Sequence, residues 1–206
     1  ELWKGDYAHE GKFWQFPTST SVPKPVQKPH PPLWVAARSP ITFNYAIKNK
    51  CNVMSWPLTR AFSEAELYKK QLDEAIIESN NNFNPIFAMM RHTALYETQS
   101  GRDKAINAIQ SCLGQFENLF RNLDDVNNGF PKRIPLNELV GRKEFDAEML
   151  EENLMFGSPD TVIEKLKRYE KLGVDQYIYY ASMGLDMESQ KKSMELFCKE
   201  VIPEFA

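Results

Sequence analysis

The sequence lacks the features that would place it in several large classes of protein. It has only three cysteines in 206 residues, an odd number without metal-ligand spacing, so we expect free thiols in a reducing compartment. Lysine plus arginine total 25 and aspartate plus glutamate total 28, which leaves no basic excess for binding nucleic acid. No apolar run approaches the roughly 20 residues of a membrane span. These features predict a soluble, cytoplasmic protein.

Common catalytic signatures are also missing. The sequence contains no glycine-rich dinucleotide motif, no phosphate-binding loop ending in GK[ST], no GxSxG and no HExxH, so no metal site is predicted. Acidic pairs such as Asp124-Asp125 and Glu151-Glu152 are interpreted as solvated charge on loops or helix surfaces. The residues by themselves therefore indicate no redox chemistry.

The stretch from Pro23 to Pro40, PKPVQKPHPPLWVAARSP, is the most informative part of the chain. Its five prolines up to Pro32 remove backbone donors, which predicts an extended connector without ladder pairing. Leu33–Ala37 is uniformly apolar and predicts a short parallel strand that is covered on both faces. Ser39 and Pro40 then suit the N-cap and the first position of a helix.

Strands alternate with amphipathic helices along the rest of the chain, which predicts parallel βαβ units. A hairpin turning at Glu10-Gly11 precedes the proline segment. Strands are predicted over residues 52–54, 85–96 and 174–181. Helices are predicted over residues 40–50, 63–80 from a Ser63–Glu66 capping box, 102–123, 159–172 and 187–202. Residues 124–156 are rich in turn formers and predict an insertion or a mobile loop, with a short helix near 145–154 and a possible role as a substrate cover.

In a parallel barrel the chemistry lies at the carboxyl ends of the strands. This rule selects two groups of candidates. Cofactor-binding candidates are Ala37, Arg38, Ser39, Ser182, Met183 and Gly184; substrate-pocket candidates are Trp56, Arg91 and His92.

Each candidate also has a purely structural interpretation. Ser39 can be a plain N-cap, Trp56 a core residue, and Ser182–Gly184 an ordinary turn. Neighbouring strand residues point to opposite sides, so only one of Arg91 and His92 can face the site.

The proline stretch, together with several later motifs, resembles the luciferase-like flavin monooxygenases. Matching residues occur in family order over most of the chain. They are Gly11-Lys12-Phe13-Trp14, Pro23, Pro25, Gln27, Pro29, His30, Pro31, Pro32, Trp34, Ala36, Arg91-His92, Gly157-Ser158-Pro159, Gly173-Val174-Asp175-Gln176 and Val201-Ile202-Pro203. The resemblance implies an α/β fold, the C-terminal portion of a luciferase-like (β/α)8 barrel of TIM type. It also implies a single domain over residues 1–206, made of the hairpin and proline arm (1–32), βα units (33–123), the insertion (124–156) and the last βα units (157–206).

The resemblance further implies an FMN-dependent monooxygenase that inserts one oxygen atom from O2 into a small, apolar organic substrate. A separate flavin reductase would supply the reduced cofactor, FMNH2. Most flavin-phosphate contacts of the family belong to the first half of the barrel, so we expect this chain to be an incomplete part that is inactive alone. Its catalytic residues stay unassigned, and we expect a homo-oligomer or a complementing barrel half. Two alternatives stay open: an oxidoreductase using the deazaflavin F420 on the same barrel, and a non-catalytic, truncated flavin-binding relative.

Overall fold

A computed structural model of the protein describes residues 1–121, 125–132 and 134–206. It contains two compact units, Glu1–Trp34 and Val35–Ala206. The predicted single domain over residues 1–206 stays a prediction.

The first unit contains an antiparallel hairpin followed by the proline segment. Strands β1 (Tyr7–Glu10) and β2 (Gln15–Ser19) form the hairpin, and the Gly11 N–H donates to the Trp14 carbonyl at 2.9 Å across a turn longer than predicted. The proline segment has no ladder pairing, as its missing donors require. His30 Nδ1 donates to the Pro31 carbonyl at 2.8 Å, so this histidine is bonded within the arm.

A five-stranded sheet organises the second unit, and its long central strand contacts three neighbours. The strands are β3 (Trp34–Ala36), β4 (Asn52–Ser55), β5 (Phe87–Leu95), β8 (Met155–Gly157) and β9 (Gln176–Tyr180). On one edge of β5 its first residues pair with β4 and its last residues pair with β8. Its other edge pairs with β9, and all three pairings are parallel.

Helices connect the strands in the predicted order. The longer ones are α1 (Pro40–Lys48), α2 (Phe62–Ser79), α3 (Gln99–Arg121), α6 (Pro159–Leu172) and α7 (Met187–Leu196), which continues as a π-helical turn, Phe197–Val201, and a 3-10 turn, Ile202–Phe205. Gly173 ends α6 at φ 87°, where a residue without Cβ is favoured. The alternation confirms the predicted α/β class with a parallel sheet.

The region from residue 124 to 156 contains more regular structure than predicted. The elements described there are β6 (Val126–Asn127), β7 (Phe130–Pro131), α4 (Leu136–Leu139), the 3-10 turn Lys143–Phe145 and α5 (Ala147–Asn153), followed by β8. Leu139, Phe145, Leu150 and Leu154 are buried. The later part of this region is therefore packed core, and the predicted mobile-loop character of the region stays a prediction.

Three local predictions are wrong. The strand β3 is not covered on both faces, because Trp34 and Ala36 are exposed on an edge strand. Helix α2 begins at Phe62, whose ring contacts Tyr169 with centroids 4.9 Å apart, so this packing takes Ser63 into the helix and displaces the capping box.

Glu151 is the third case, since it is not solvated charge. Its carboxylate accepts hydrogen bonds from the Tyr96 hydroxyl and from Arg102 Nε, the latter at 2.8 Å. Asp124 of the other acidic pair lies outside the described residues.

Candidate functional site

A cleft of about 530 Å³ opens where β3 and β4 end. Three residues, Ala37 to Ser39, join β3 to α1, so the start of α1 stands directly at the strand's carboxyl end. The turn is fixed by the Ala37 N–H, which donates to the Met54 carbonyl at 2.9 Å. The cleft is lined by Ala36, Arg38, Ser39, Thr42, Pro57, Leu58, Arg60, Glu64 and Tyr68.

The groups in this cleft favour an anion. Ser39 occupies the N-cap position of α1, but its hydroxyl contacts the Thr42 hydroxyl at 3.0 Å and caps no backbone N–H. Arg38 is exposed and forms no ion pair with any residue that the structure describes, whereas Arg60 pairs with Glu64 at 2.7 Å. Two arginines and a helix N-terminus thus outweigh one carboxylate, and helix N-termini bind phosphate through their free N–H groups.

Tyr68 closes the base of the cleft and stays protonated. Burial, followed by a hydrogen bond to Glu64, raises the pKa of Tyr68 to about 12. Its hydroxyl is therefore a donor at neutral pH.

Three aromatic side chains meet on the sheet where β4 and β9 end, beside the middle of β5. Trp56 directly follows β4, and parallel pairing sets His92 of β5 opposite Tyr180 of β9. The His92 and Tyr180 rings stack with centroids 4.5 Å apart, and Trp56 stands edge-on to both, at 5.5 Å from His92 and 5.4 Å from Tyr180. We call Trp56, His92 and Tyr180 the aromatic cluster.

The aromatic cluster is neutral and holds two polar atoms without partners. His92 is 2% exposed, and burial, with a smaller effect of the Arg91 charge, lowers its pKa to about 4. Among the residues that the structure describes, Trp56 Nε1 and His92 Nδ1 are buried without a hydrogen-bond partner. Such groups cost roughly 1–3 kcal/mol each, so a buried polar atom without a partner calls for an explanation, such as a functional role.

Arg91 lies on the opposite face of β5 from this cluster. Its guanidinium is fully buried and donates to the backbone carbonyls of Leu58, Arg60 and Asn153. Burial lowers the pKa of Arg91. As alternation along a strand requires, only His92 of this pair reaches the aromatic cluster, and the structure does not bring Arg91 to it.

The turn after β9 presents backbone rather than side chains. Gly184 has φ 92°, a left-handed conformation that favours glycine. Met183 is 1% exposed and packs in the core with Ala94, Leu150 and Phe156. Ala37 is equally buried, so the side chains of Ala37 and Met183 pack in the core and do not face the cleft.

Sequence reasoning missed Thr42, Arg60 and Tyr180. Thr42 had a usable signal, because a hydroxyl three residues after an N-cap lies on the same side of the first helical turn. Tyr180 stood among other strand tyrosines, and nothing local distinguished the one facing His92. Arg60 enters the cleft through the fold of the loop after β4, which no periodicity describes.

Other kinds of site find no support in the part of the chain that is described. There, no group of three or more histidine, cysteine, aspartate or glutamate side chains could hold a metal ion. No described helix is both long and apolar enough to cross a membrane. The three cysteines are unpaired.

Comparison with known proteins gives consistent similarities. Residues 1–176 match the family described as luciferase-like monooxygenase. The chain is 34% identical over 205 residues to the oxygenase component of the flavin-dependent trigonelline monooxygenase of Acinetobacter baylyi, covering 100% of this chain and 57% of that protein. It therefore spans little more than half the length of this relative.

Two solved structures share the fold. One is the oxygenating constituent of 3,6-diketocamphane monooxygenase of Pseudomonas putida in complex with FMN, with a TM-score of 0.67, 19% identity, and coverage of 98% of this chain and 59% of that one. The other is the coenzyme F420 dependent tetrahydromethanopterin reductase of Methanopyrus kandleri, with a TM-score of 0.67, 23% identity, and coverage of 100% and 60%. The chain is thus an α/β partial barrel of the TIM type, as predicted.

Proposed function

Because the chain belongs to the luciferase-like monooxygenase family, we propose that it is part of the oxygenase component of a two-component, FMN-dependent monooxygenase. This component inserts one oxygen atom from O2 into a small organic substrate, and a separate flavin reductase supplies FMNH2. The relative from Acinetobacter baylyi, named a flavin-dependent oxygenase component, supports this proposal.

The observation that carries the proposal is the presence of two complementary features at the carboxyl ends of the strands. The cleft of Arg38, Ser39 and Thr42 suits an anion, and the aromatic cluster suits a planar or apolar organic group. FMN has both a phosphate and a planar ring system. These two features support FMN as the cofactor.

Each feature has its own task in this proposal. Arg38, Ser39 and Thr42 bind the phosphate, and the main chain of Ser182–Gly184 allows a close approach of the ring, since Gly184 presents no Cβ. Bound reduced flavin supplies the electrons for oxygen activation, while the protein supplies orientation and a dry site. His92, with its pKa lowered to about 4, stays uncharged at neutral pH and binds rather than titrates.

The unpaired nitrogens indicate what the substrate presents. Trp56 Nε1–H is a donor only, so its partner is an acceptor such as a carbonyl or carboxylate oxygen. The substrate is accordingly a small, largely apolar organic compound that presents such an acceptor. The proposal also includes a location in the cytoplasm. It further includes association of the chain with copies of itself.

Equilibrium binding tests the cofactor first. FMN and F420 are titrated separately into the full chain, followed by absorbance, with Ser39→Ala and Arg38→Gln as variants. Loss of one charge-assisted contact predicts about ten-fold weaker FMN binding for Arg38→Gln. Ser193→Ala is the matched control for Ser39→Ala, because it removes a hydroxyl of α7 that accepts from the Leu95 N–H and does not line the cleft. FMN binding unaffected by either cleft variant contradicts the proposal.

Turnover is the second measurement. FMNH2 produced by a flavin reductase should drive oxygen uptake that increases with substrate. If the full-length protein binds flavin stoichiometrically but takes up no oxygen, the alternative of a non-catalytic flavin-binding relative is favoured.

A deazaflavin-dependent oxidoreductase is the second candidate. It is supported by the fold shared with the F420 dependent reductase of Methanopyrus kandleri. Binding of F420 in preference to FMN in the titration selects this candidate.

A further inference from the structure

The loop that follows β4 has an uncommon backbone conformation at the edge of the cleft. It turns through Pro57, Leu58, Thr59 and Arg60, and the Arg60 N–H closes it by donating to the Pro57 carbonyl at 3.0 Å. Leu58 has φ 56°. A branched side chain in the left-handed region is strained, and such residues persist only where their surroundings hold them.

Two side chains bind the carbonyls of three consecutive residues in this loop. Arg91 Nη1 donates to the Leu58 carbonyl at 3.2 Å and Arg91 Nη2 to the Arg60 carbonyl at 2.8 Å. Asn153 Nδ2 donates to the Thr59 carbonyl between them at 3.1 Å. Arg91 Nη2 also donates to the backbone carbonyl of Asn153, so the two binding residues are themselves joined.

Arg91 and Asn153, which donate these hydrogen bonds to the loop, both belong to well-packed elements. Arg91 belongs to the central strand β5 and is fully buried. Asn153 is the last residue of α5, and Lys165 Nζ fixes the chain just beyond it by donating to the carbonyls of Leu154 at 2.8 Å and Phe156 at 3.1 Å. A strained loop is therefore attached to two rigid anchors.

The loop supplies a substantial part of the cleft wall. Pro57, Leu58 and Arg60 line the cleft opposite Arg38 and Ser39. Any change in the backbone at Leu58 consequently moves Arg60, and with it one of the two positive charges in the cleft.

We propose that Arg91 and Asn153 are positioning residues that hold the Pro57–Arg60 loop in its strained conformation and so preorganise the cleft. Through Asn153 they also couple α5, within the region predicted as an insertion, to the cofactor cleft. Arg91 is thus a determinant of cofactor affinity without contacting the cofactor. This inference rests on the proposed function only where FMN affinity is measured.

The test uses Asn153→Ala in the full chain, because this change removes one hydrogen bond and leaves the buried guanidinium in place. We expect FMN binding to weaken about five-fold, the size of one net hydrogen bond, and backbone amide exchange over residues 58–61 to accelerate. Asn49→Ala is the matched control, since Asn49 Nδ2 also donates to a backbone carbonyl, that of Tyr45 at 2.8 Å, at the far end of α1. The control should change neither readout.

A second substitution separates positioning from a merely structural role. Leu58→Gly removes the strain at φ 56°, so Leu58→Gly combined with Asn153→Ala should recover at least half of the lost FMN affinity. A double variant that binds FMN still more weakly than Asn153→Ala overturns the proposal, because added flexibility would then simply add to a general loss of stability. Arg91→Lys should weaken FMN binding more than Asn153→Ala, as it removes two bonds to the loop.

The same experiment distinguishes failure of the proposed function from failure of the positioning role. If neither FMN nor F420 binds the unsubstituted chain, the amide exchange over residues 58–61 still reports on the loop. Faster exchange in Asn153→Ala, with Asn49→Ala unchanged, then supports the positioning role while the cofactor assignment fails. Unchanged exchange in Asn153→Ala overturns the positioning role whatever the cofactor.

Discussion

His92 is the residue whose surroundings determine most about the candidate site. Its ring contacts those of Trp56 and Tyr180, it is 2% exposed, and its Nδ1 has no hydrogen-bond partner among the described residues. Burial lowers its pKa to about 4 from 6.5. It is therefore neutral across the physiological range and differs in this from a histidine used as an acid or a base near pH 7.

The lowered pKa of His92 predicts a specific acid sensitivity. In the unfolded chain this imidazole is protonated below about pH 6.5, whereas in the folded chain it resists protonation down to about pH 4. The stability it contributes is thus complete above pH 6.5 and is lost as the pH falls from there to about 4, by about 3 kcal/mol in total.

Denaturant unfolding of His92→Phe and of the unsubstituted protein between pH 7 and 4 measures this effect. The free energy of unfolding of the variant should fall less over this interval, by about 3 kcal/mol. Parallel curves for His92→Phe would show that the imidazole is solvated.

At the scale of elements, the starts of two helices show where a capping motif in the sequence predicts the first residue of a helix and where it does not. Ser158 caps α6 by accepting from the Thr161 N–H at 3.3 Å, with Pro159 at the first helical position, as the sequence predicts. Ser63 carries an equally good motif but lies one residue inside α2. The contact of Phe62 with Tyr169, and of its ring with Arg168 at 4.2 Å, extends the helix toward its N-terminus.

Two serine substitutions test this difference. Ser158→Ala should lower the free energy of unfolding by about 1 kcal/mol because a cap is lost. Ser63→Ala should change it by less than about 0.5 kcal/mol, because the side chain caps nothing. Equal losses in the two variants, measured by thermal or urea unfolding, would mean that α2 starts at Ser63 in solution.

At the scale of the whole molecule, exposed apolar side chains indicate association. Phe13 and Trp14 at the hairpin tip are 82% and 76% exposed, and β3 is an edge strand whose outer side is unpaired within the described sheet. Unpaired edges and exposed aromatic side chains are features that proteins usually cover.

We accordingly expect the 206-residue chain to sediment with at least twice the mass of one copy. Trp14→Ser combined with Phe13→Ser should shift this equilibrium toward smaller species, while thermal unfolding of the sheet stays unchanged. Lys24→Ser, a polar change in the same unit, is the control. A single species with the mass of one chain, independent of concentration, would contradict the expectation.

Much of the fold follows from the sequence because the signals are local. Alternating apolar runs and helical periodicity identify the four longest connecting helices and the strands β4, β5 and β9, and Ser39-Pro40 marks the start of α1. The strand β8 was missed because three residues carry too little pattern. The buried stripe of α2 runs through Ala65, Tyr68 and Leu72, whereas Ile77 is 79% exposed, so hydrophobicity alone does not identify the face of this helix that packs.

The sequence by itself determined the class of fold, the strand ends beside Ser39 and Trp56, and the placement of His92 on a strand, because hydrophobic period and turn chemistry act between near neighbours. Only the tertiary structure decided what those residues face. The parallel register of β5 and β9 sets His92 against Tyr180, and the face of β5 that packs on the helices takes Arg91 to the carbonyls of Leu58, Arg60 and Asn153. Such contacts join residues more than thirty positions apart, and their geometry depends on strand pairing and side-chain packing, which no local pattern encodes.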